Sequence, residues 1–442
     1  GKEHPFETLN AAVGWARENM KVGGDGADKD NVVATIQMLV DYTIPYEDRV
    51  ELLQGTDKIT LTTAAGTGGT FNFADTQSGK ADADKGTAIL TRGFGDASSL
   101  FWMNNGAELT LQKVILDGNR TVYNSMNVNG NLVNVTNSTV NIQANAVLRY
   151  AQANWNGAAV MGTGTAVINM TGGTISNCSA GLYGGGIYHD GSGTASIDDN
   201  GNYTDGTGTI KISGGTIENC SGDRGGGVRK INGTLYMTGG EVKDCYANHG
   251  GGIHVSDVGV NARALVSGES KITNCTVTGF GGGIYAHNGK LFVSGNTTIE
   301  GCKANWNHQT DSAGTGNGCG GGINISFTSV LKLSGNVIIK DCQAYCGGGI
   351  DVQNDYGNNY GEISGSVEIT GCQATENGGG IYVEWNNATV DFKGGFINDC
   401  SAGNEGGAVY VKNGGTFNMS GGTISGNLAS SGSAVYVAGG TL

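Results

Sequence analysis

Proline is almost missing from this chain, at 2 residues in 442. Charge is sparse as well: charged residues make up 14%, aromatic residues 7%, and 25 basic residues face 39 acidic ones, for a net charge of −14. Each shortage excludes something. A collagen-like chain needs abundant Pro with Gly at every third position, and a disordered linker pairs Gly with Pro, Ser or dense charge. The acidic balance argues against nucleic acid and against an anionic membrane surface as partners, because basic patches hold both. No apolar run approaches the roughly 20 residues a membrane span requires, so no membrane insertion is expected, and the opening residues do not read as a signal peptide. Acidic, Asn-, Thr- and Gly-rich chains with few Lys have the composition of secreted bacterial surface proteins, so an extracellular, cell-surface location is expected.

Glycine is what the chain has in excess, at 81 of 442 residues, about 18% against a usual value of roughly 7%. Each interior Gly costs a helix about 1 kcal/mol relative to Ala, so long helices are not expected. From about residue 165 one phrase recurs: a short alternating strand ending in Ser-Gly or Gly-Gly, a β-branched pair with a Cys, then GGGI. Its most compact form is TLYMTGGEVKDCYANHGGGIHV at 234–255. GGG triplets begin at Gly184, Gly225, Gly250, Gly281, Gly320, Gly347 and Gly378, with degenerate versions at Gly406 and Gly432. Polar insertions lengthen some intervals, 190–208 and 303–318 being the largest. Ala438 to Leu442 stop where another repeat would begin, so the chain reads as a piece of a longer protein.

Each unit holds three runs of period 2, the signature of strands with one buried face. In 234–255 the inward residues are Leu235 and Met237, then Val242 and Cys245, then Ile253 and Val255. Three short strands per repeat make sense as one turn of a coil in which every strand pairs with its equivalent in the next turn. The expected fold is therefore all-β: a single-stranded parallel β-helix with three sheets and about 11 turns, right-handed by the usual chirality of parallel crossovers. The expected divisions are a cap helix with linker at 1–31, irregular first turns at 32–164, and regular repeats at 165–442. In the cap, Phe6, Leu9, Val13, Ala16 and Met20 follow helical spacing after Pro5 and before Gly23-Gly24. An amphipathic helix there would cover the apolar end of the coil.

The pairing of GGGI-Tyr with Ile-x-x-Cys resembles the GGA[ILV] and Phe-x-x-Asn repeats of chlamydial polymorphic outer membrane proteins. The stretches AILTRGF at 88–94 and GAELTLQKVILDGN at 106–119 resemble adhesin-type, pectin-lyase-like β-helix proteins of bacterial surfaces. The resemblance implies the β-helix over nearly the whole chain. It leaves function divided, since such proteins include adhesins, autotransporter passengers, and polysaccharide lyases and hydrolases. Where the polymorphic proteins carry Asn, most repeats here carry Cys, and only Asn427 reverts.

Ten cysteines fall into two sets. Cys178, Cys220, Cys245, Cys275, Cys302, Cys342, Cys372 and Cys400 occupy one inward slot in eight successive turns, a stack of buried thiols. Such a ladder cannot converge four tetrahedral ligands on zinc. Cys319 and Cys346 each precede a GGG, hence share a slot in neighbouring turns at a separation suited to a disulfide.

The residue after Ile in the GGGI strand points outward. Down the rod that column reads Tyr188, Arg229, His254, Tyr285, Asn324, Asp351, Tyr382, Tyr410 and Tyr436. Five tyrosines spaced by single turns offer a stacking surface for sugar rings, with Arg229 and His254 to hold hydroxyls. Tyr also suits an exposed strand and stacks on its own neighbours, which requires no ligand. In the same face Asp351 and Glu384 lie one turn and two residues apart, with Tyr382 between and His287 nearby, a pairing that could serve glycoside hydrolysis. The bland alternative is two solvated acids. Asp25, Asp28 and Asp30 could hold Ca²⁺ by composition but lack the full loop spacing, so no cofactor is expected.

The reading that follows is a non-catalytic, surface-displayed, adhesin-like rod, expected to be a monomer, with a carbohydrate or a host surface protein as partner. Polysaccharide cleavage by Asp351 and Glu384 is the alternative, and a passive stalk the third. The insertions 190–208 and 303–318 are the segments that could close over the tyrosine column.

Overall fold

The computed structural model describes residues 6–19, 32–52, 57–64, 80–81, 84, 86–122, 130–257, 262–305, 318–353 and 357–442. These form a parallel β-helix of about 12 turns. The regular repeat shows how a turn is made. Thr234–Met237, Glu241–Lys243 and Ile253–Ser256 are its three main strands, with the short strand Tyr246–Ala247 before the last. Each pairs in parallel with its equivalent one turn on: Leu235 with Ala264, Val242 with Ile272, Ile253 with Ile284. The sheets are called first, second and third in that order. Val167–Ser176 and Thr209–Glu218 run unbroken through the corner between the first two, fusing them along one edge.

The irregular opening already closes a turn, as expected: Val32–Met38, Tyr42–Ile44 and Val50–Leu52 each pair into one of the three sheets. Alternation holds throughout the regular part. Leu235, Met237, Val242, Cys245, Ile253 and Val255 are buried, as are their equivalents in successive turns. Burying one such aliphatic side chain contributes about 1.5–3 kcal/mol, and a one-residue slip would turn the whole set to solvent, so register is strongly fixed. The exceptions come at the last turn, where Met419 in the first sheet is 45% exposed and Val437 in the third sheet 40%.

The second corner has its own rule. The residue before each ladder Cys takes a left-handed conformation: Asn177, Asn219, Asp244, Asn274, Gly301, Asp341, Gly371 and Asp399 all have φ between 51° and 63°. Asn, Asp and Gly are the residues that bear this conformation at least cost.

One helix, Leu9–Asn19, is found among the described residues. It buries Leu9, Ala12, Val13 and Ala16, three of them in the same core as Ala34, Ile44 and Val50, at the end of the coil. Met20, expected on the same face, lies outside the described residues. The insertion at 190–208 forms a small antiparallel ribbon, Ser196–Ile197 with Tyr203–Thr204. It lies over the first sheet, where Tyr203 stacks on Tyr236 at 3.8 Å and Ile197 packs with Leu265 and Phe292. Asp199 holds it there by ion pairs to Arg263 (2.7 Å) and Lys290 (2.6 Å). It therefore does not cover the tyrosine column. Most of the second insertion, 306–317, lies outside the described residues.

Candidate functional site

The column after Ile points away from the coil as expected, but it is not an exposed surface. Tyr188, Arg229, His254, Tyr285, Tyr382 and Tyr410 are only 1–6% exposed, Asn324 and Asp351 are fully buried, and Tyr436 is half-buried. The GGG corner is the cause. Its first Gly has a positive φ and turns the chain back over its own strand, so that a Cβ on Gly250 would stand 2.6 Å from His254 Cβ. The next two glycines pass so close to the following turn that a Cβ on Gly251 would meet Gly282 O at 2.5 Å. The outer face of the third sheet thus becomes the floor of a trough, walled by the residues that precede each GGG.

The trough packs as a second, external core. Tyr382 and Tyr410 stack at 5.3 Å, Tyr410 and Tyr436 at 5.8 Å, and His254 meets Tyr285 at 4.6 Å. Ring faces expected to receive sugars are spent on one another, a correction to the expected stacking surface of Tyr188, Tyr285, Tyr382, Tyr410 and Tyr436. Cys319 and Cys346 lie in this external core, directly opposite one another in adjacent turns as the spacing requires, packed with Tyr382 and Tyr410. Both are buried thiols, side by side and not joined in the disulfide that their spacing would suit.

Asp351 and Glu384 have the predicted offset, since Gln353 pairs with Glu384. Asp351 accepts hydrogen bonds from Asn324 Nδ2 and Gln353 Nε2 on one oxygen, and burial pushes its carboxyl well above the usual range. Glu384 accepts from the Tyr382 hydroxyl (2.8 Å) and from Asn413 Nδ2 (2.8 Å), with Lys412 Nζ at 3.4 Å. His287 Nδ1 lies 3.0 Å from the Tyr285 hydroxyl and 3.1 Å from Ser326 Oγ. A fully buried Asp351 cannot touch a polymer in this conformation, which corrects the picture of two solvated acids on an open face.

The eight-membered cysteine ladder is present, every member buried. Each thiol donates to the carbonyl two residues back and to one in the preceding turn: Cys302 Sγ to Glu300 O (3.5 Å) and to Ile272 O (3.7 Å). Asn427 does the same with its amide, to Ser425 O (2.8 Å) and Ile397 O (2.9 Å). Burial pushes the thiols of Cys178, Cys245, Cys275 and Cys342 up, so they stay protonated.

Two features escaped the sequence reading. The residue just after the third strand is left-handed in most turns: Asn137 (φ 48°), Gly164 (66°), Asn232 (55°), Asn288 (59°), Phe327 (59°), Trp385 (83°), Asn413 (51°) and Gly439 (77°), with Asp257, between Asn232 and Asn288, outside the pattern. Asn-Gly pairs at Asn232, Asn288 and Asn413 mark this corner in the sequence, and the two aromatics break the pattern. Phe327 is 41% and Trp385 40% exposed. They stand two turns apart, roughly 10 Å at the inter-strand spacing. The second feature is inside the coil: His189 and Lys230 occupy inward positions of the third sheet, both fully buried. Gly162 in the turn before makes the room, since a Cβ there would meet His189 Cδ2 at 2.5 Å.

Among the described residues no group of three or more His, Cys, Asp or Glu could hold a metal ion, and Asp25, Asp28 and Asp30 lie outside them. No protein-family model, no curated protein and no solved structure matches this chain.

Proposed function

We propose that this chain is a non-catalytic, adhesin-like β-helix displayed on a bacterial surface, and that it binds glycan along the edge of the third sheet. The observation that carries this reading is the pair Phe327 and Trp385. A bulky residue at positive φ costs on the order of 1–3 kcal/mol, in a column where Asn or Gly would avoid that cost. Strain retained at two exposed aromatic positions is what a binding platform needs, because flat rings held on a rigid edge can stack on the apolar faces of sugars two units apart in an extended chain. His287, whose ring lies 4.1 Å from that of Phe327, and Glu384, next to Trp385, supply polar groups for hydroxyls. The resemblance of the repeats to adhesin-type surface proteins supports the same reading.

The substitutions Phe327→Asn and Trp385→Asn test it, since Asn is native to this column. Each variant should melt at or above the wild-type temperature, and the double variant should lose binding on a glycan array. Undiminished binding by the folded double variant would remove the platform.

A further inference from the structure

An acidic chain with few cations gathers five basic side chains in one stretch of the trough: Arg224, Arg229, His249, His254 and His287. Arg229 lies at its centre. The residue is 3% exposed, and among the described residues its one hydrogen bond goes from Nη2 to Ser256 Oγ, a neutral acceptor, at 2.8 Å. Nε and Nη1 are buried and have no hydrogen-bond partner among the described residues. The ring of Tyr183 covers one side, with the carbons of both guanidinium groups, Arg229 at 5.3 Å and Arg224 at 6.0 Å, over it. One turn on, His254 pairs in register with Arg229 and is buried, with neither ring nitrogen hydrogen-bonded among the described residues. Arg224 Nε is a further buried N–H with no hydrogen bond among the described residues; Asp223 Oδ2 lies 3.6 Å away.

A buried guanidinium is ordinarily paired with a carboxylate or another anion, because an uncompensated charge in a dry site is costly. Here two like charges lie over one ring, and the unused donors belong to neighbouring side chains: Nε and Nη1 of Arg229, Nε of Arg224 and a ring nitrogen of His254, the residue paired with Arg229 in the next turn. Donors so arranged suit a tetrahedral oxyanion, and Arg is the side chain best shaped to fork onto one. The rim gives access, since the Arg224 side chain is 43% exposed.

We infer that Arg229, with Arg224 and His254, forms a binding site for a tetrahedral oxyanion, and that the ligand is the sulfate ester of a sulfated glycan. The choice of a glycan as carrier rests on the function proposed above; the anion site itself does not.

The test uses the whole chain in two arms. In the first, thermal melting is followed in sodium sulfate, sodium phosphate and sodium chloride at matched ionic strength, for wild type, Arg229→Gln and Arg229→Lys. Sulfate raises all melting temperatures somewhat by exclusion from protein surface. The site predicts an additional rise in wild type that saturates with concentration, shrinks in Arg229→Lys and disappears in Arg229→Gln. In anion-free buffer Arg229→Gln should melt no lower than wild type, because an uncompensated charge has been removed. Equal sulfate and chloride effects, or the same saturable rise in Arg229→Gln, would overturn the site. A larger effect of phosphate than of sulfate would overturn the choice of ester.

In the second arm, calorimetric titration compares a sulfated glycan, its desulfated form and a neutral glycan. Sulfated glycan should bind at least about tenfold more tightly, with the advantage gone in Arg229→Gln, as expected for loss of a charge-assisted pair. Binding of inorganic sulfate without any glycan binding would refute the glycan reading and leave the anion site standing. Glycan binding indifferent to sulfation, with no sulfate effect on melting, would do the reverse.

Discussion

Lys230 shows most sharply what a single residue can do against its surroundings. It sits in a slot that the two preceding turns fill with His189 and Gly162 and the following turns with Val, Ala or Ile, and its amine reaches Gly191 O (2.7 Å), Ile231 O (3.4 Å) and His189 Nδ1. Burial holds its pKa well below the usual lysine value, and burial followed by the Lys230 charge does the same to His189. Both groups therefore bind a proton more weakly in the folded chain than in the unfolded one. For Lys230 the penalty is fully present below the folded pKa and is relieved as pH rises toward 10.5, at about 1.4 kcal/mol per pH unit while the two states differ by one proton. Lys230→Met should raise stability near neutral pH by about 1–4 kcal/mol in urea unfolding and should flatten the gain seen between pH 8 and 9.5. A less stable variant would mean that its hydrogen bonds outweigh its burial. On the acid side, His249 and His287 are pushed down to about 4 by burial, so their contribution is present above 6.5 and is lost as pH falls from there toward about 4. Asp351, pushed up, works in the opposite sense, because its protonated folded form is favoured as pH falls toward 3.8.

At the scale of the element, the ladder slot is defined by its acceptors rather than by sulfur. Cys400 Sγ donates to Asn398 O and Ile369 O, and Asn427 reaches the corresponding pair of carbonyls from the next turn while accepting from Cys400 N at 2.9 Å. Removing a thiol in mid-ladder takes a donor from two carbonyls, one of which, Glu300 O in the case of Cys302, keeps Asn274 N at 2.8 Å, and opens a small cavity. Cys302→Ala should therefore cost about 1–3 kcal/mol, and Cys302→Ser, which keeps the donor, distinctly less, measured by denaturant unfolding. Equal costs would make packing volume the whole role. The strands and their inward faces were legible because alternation with a fixed period leaves one register that buries Leu235, Met237 and Val242 together. The left-handed corners were legible in part, since Asn, Asp or Gly stands before every ladder Cys. The trough was not. Alternation separates inward from outward, and whether an outward side chain meets solvent depends on how far the GGG corner folds back, a matter of backbone conformation that leaves no trace in Tyr382 or Asp351 themselves. Phe327 and Trp385 were hidden differently, as departures from an Asn-Gly column recognisable only once the turns are aligned.

For the whole molecule, a coil in which each turn touches only its neighbours has stability that is local along its axis, so the ends are decisive. The helix Leu9–Asn19 seals one end, and its attachment is specific. Asp48, from the first turn, accepts hydrogen bonds from the backbone N–H of Leu9 and Asn10, both at 3.0 Å, and from the Tyr42 hydroxyl at 2.8 Å. A carboxylate placed there satisfies donors that every helix N-terminus leaves open and complements the positive end of the dipole. At the other end of the helix Arg17 pairs with the buried Asp57 at 2.8 Å. Val13 lies between these anchors, 2% exposed against the first turn. Val13→Asp would put a charge into that contact, lift the helix and uncover the apolar end of the coil. Because coupling passes only from turn to turn, hydrogen exchange should accelerate in Val32–Met38 and Tyr42–Ile44 and decline to wild-type rates well before Ile323–Ser326. The uncovered edge should also drive concentration-dependent association, visible in light scattering. Exchange that rises uniformly along the rod would show instead that the coil unfolds as one cooperative unit, with the helix contributing to all of it.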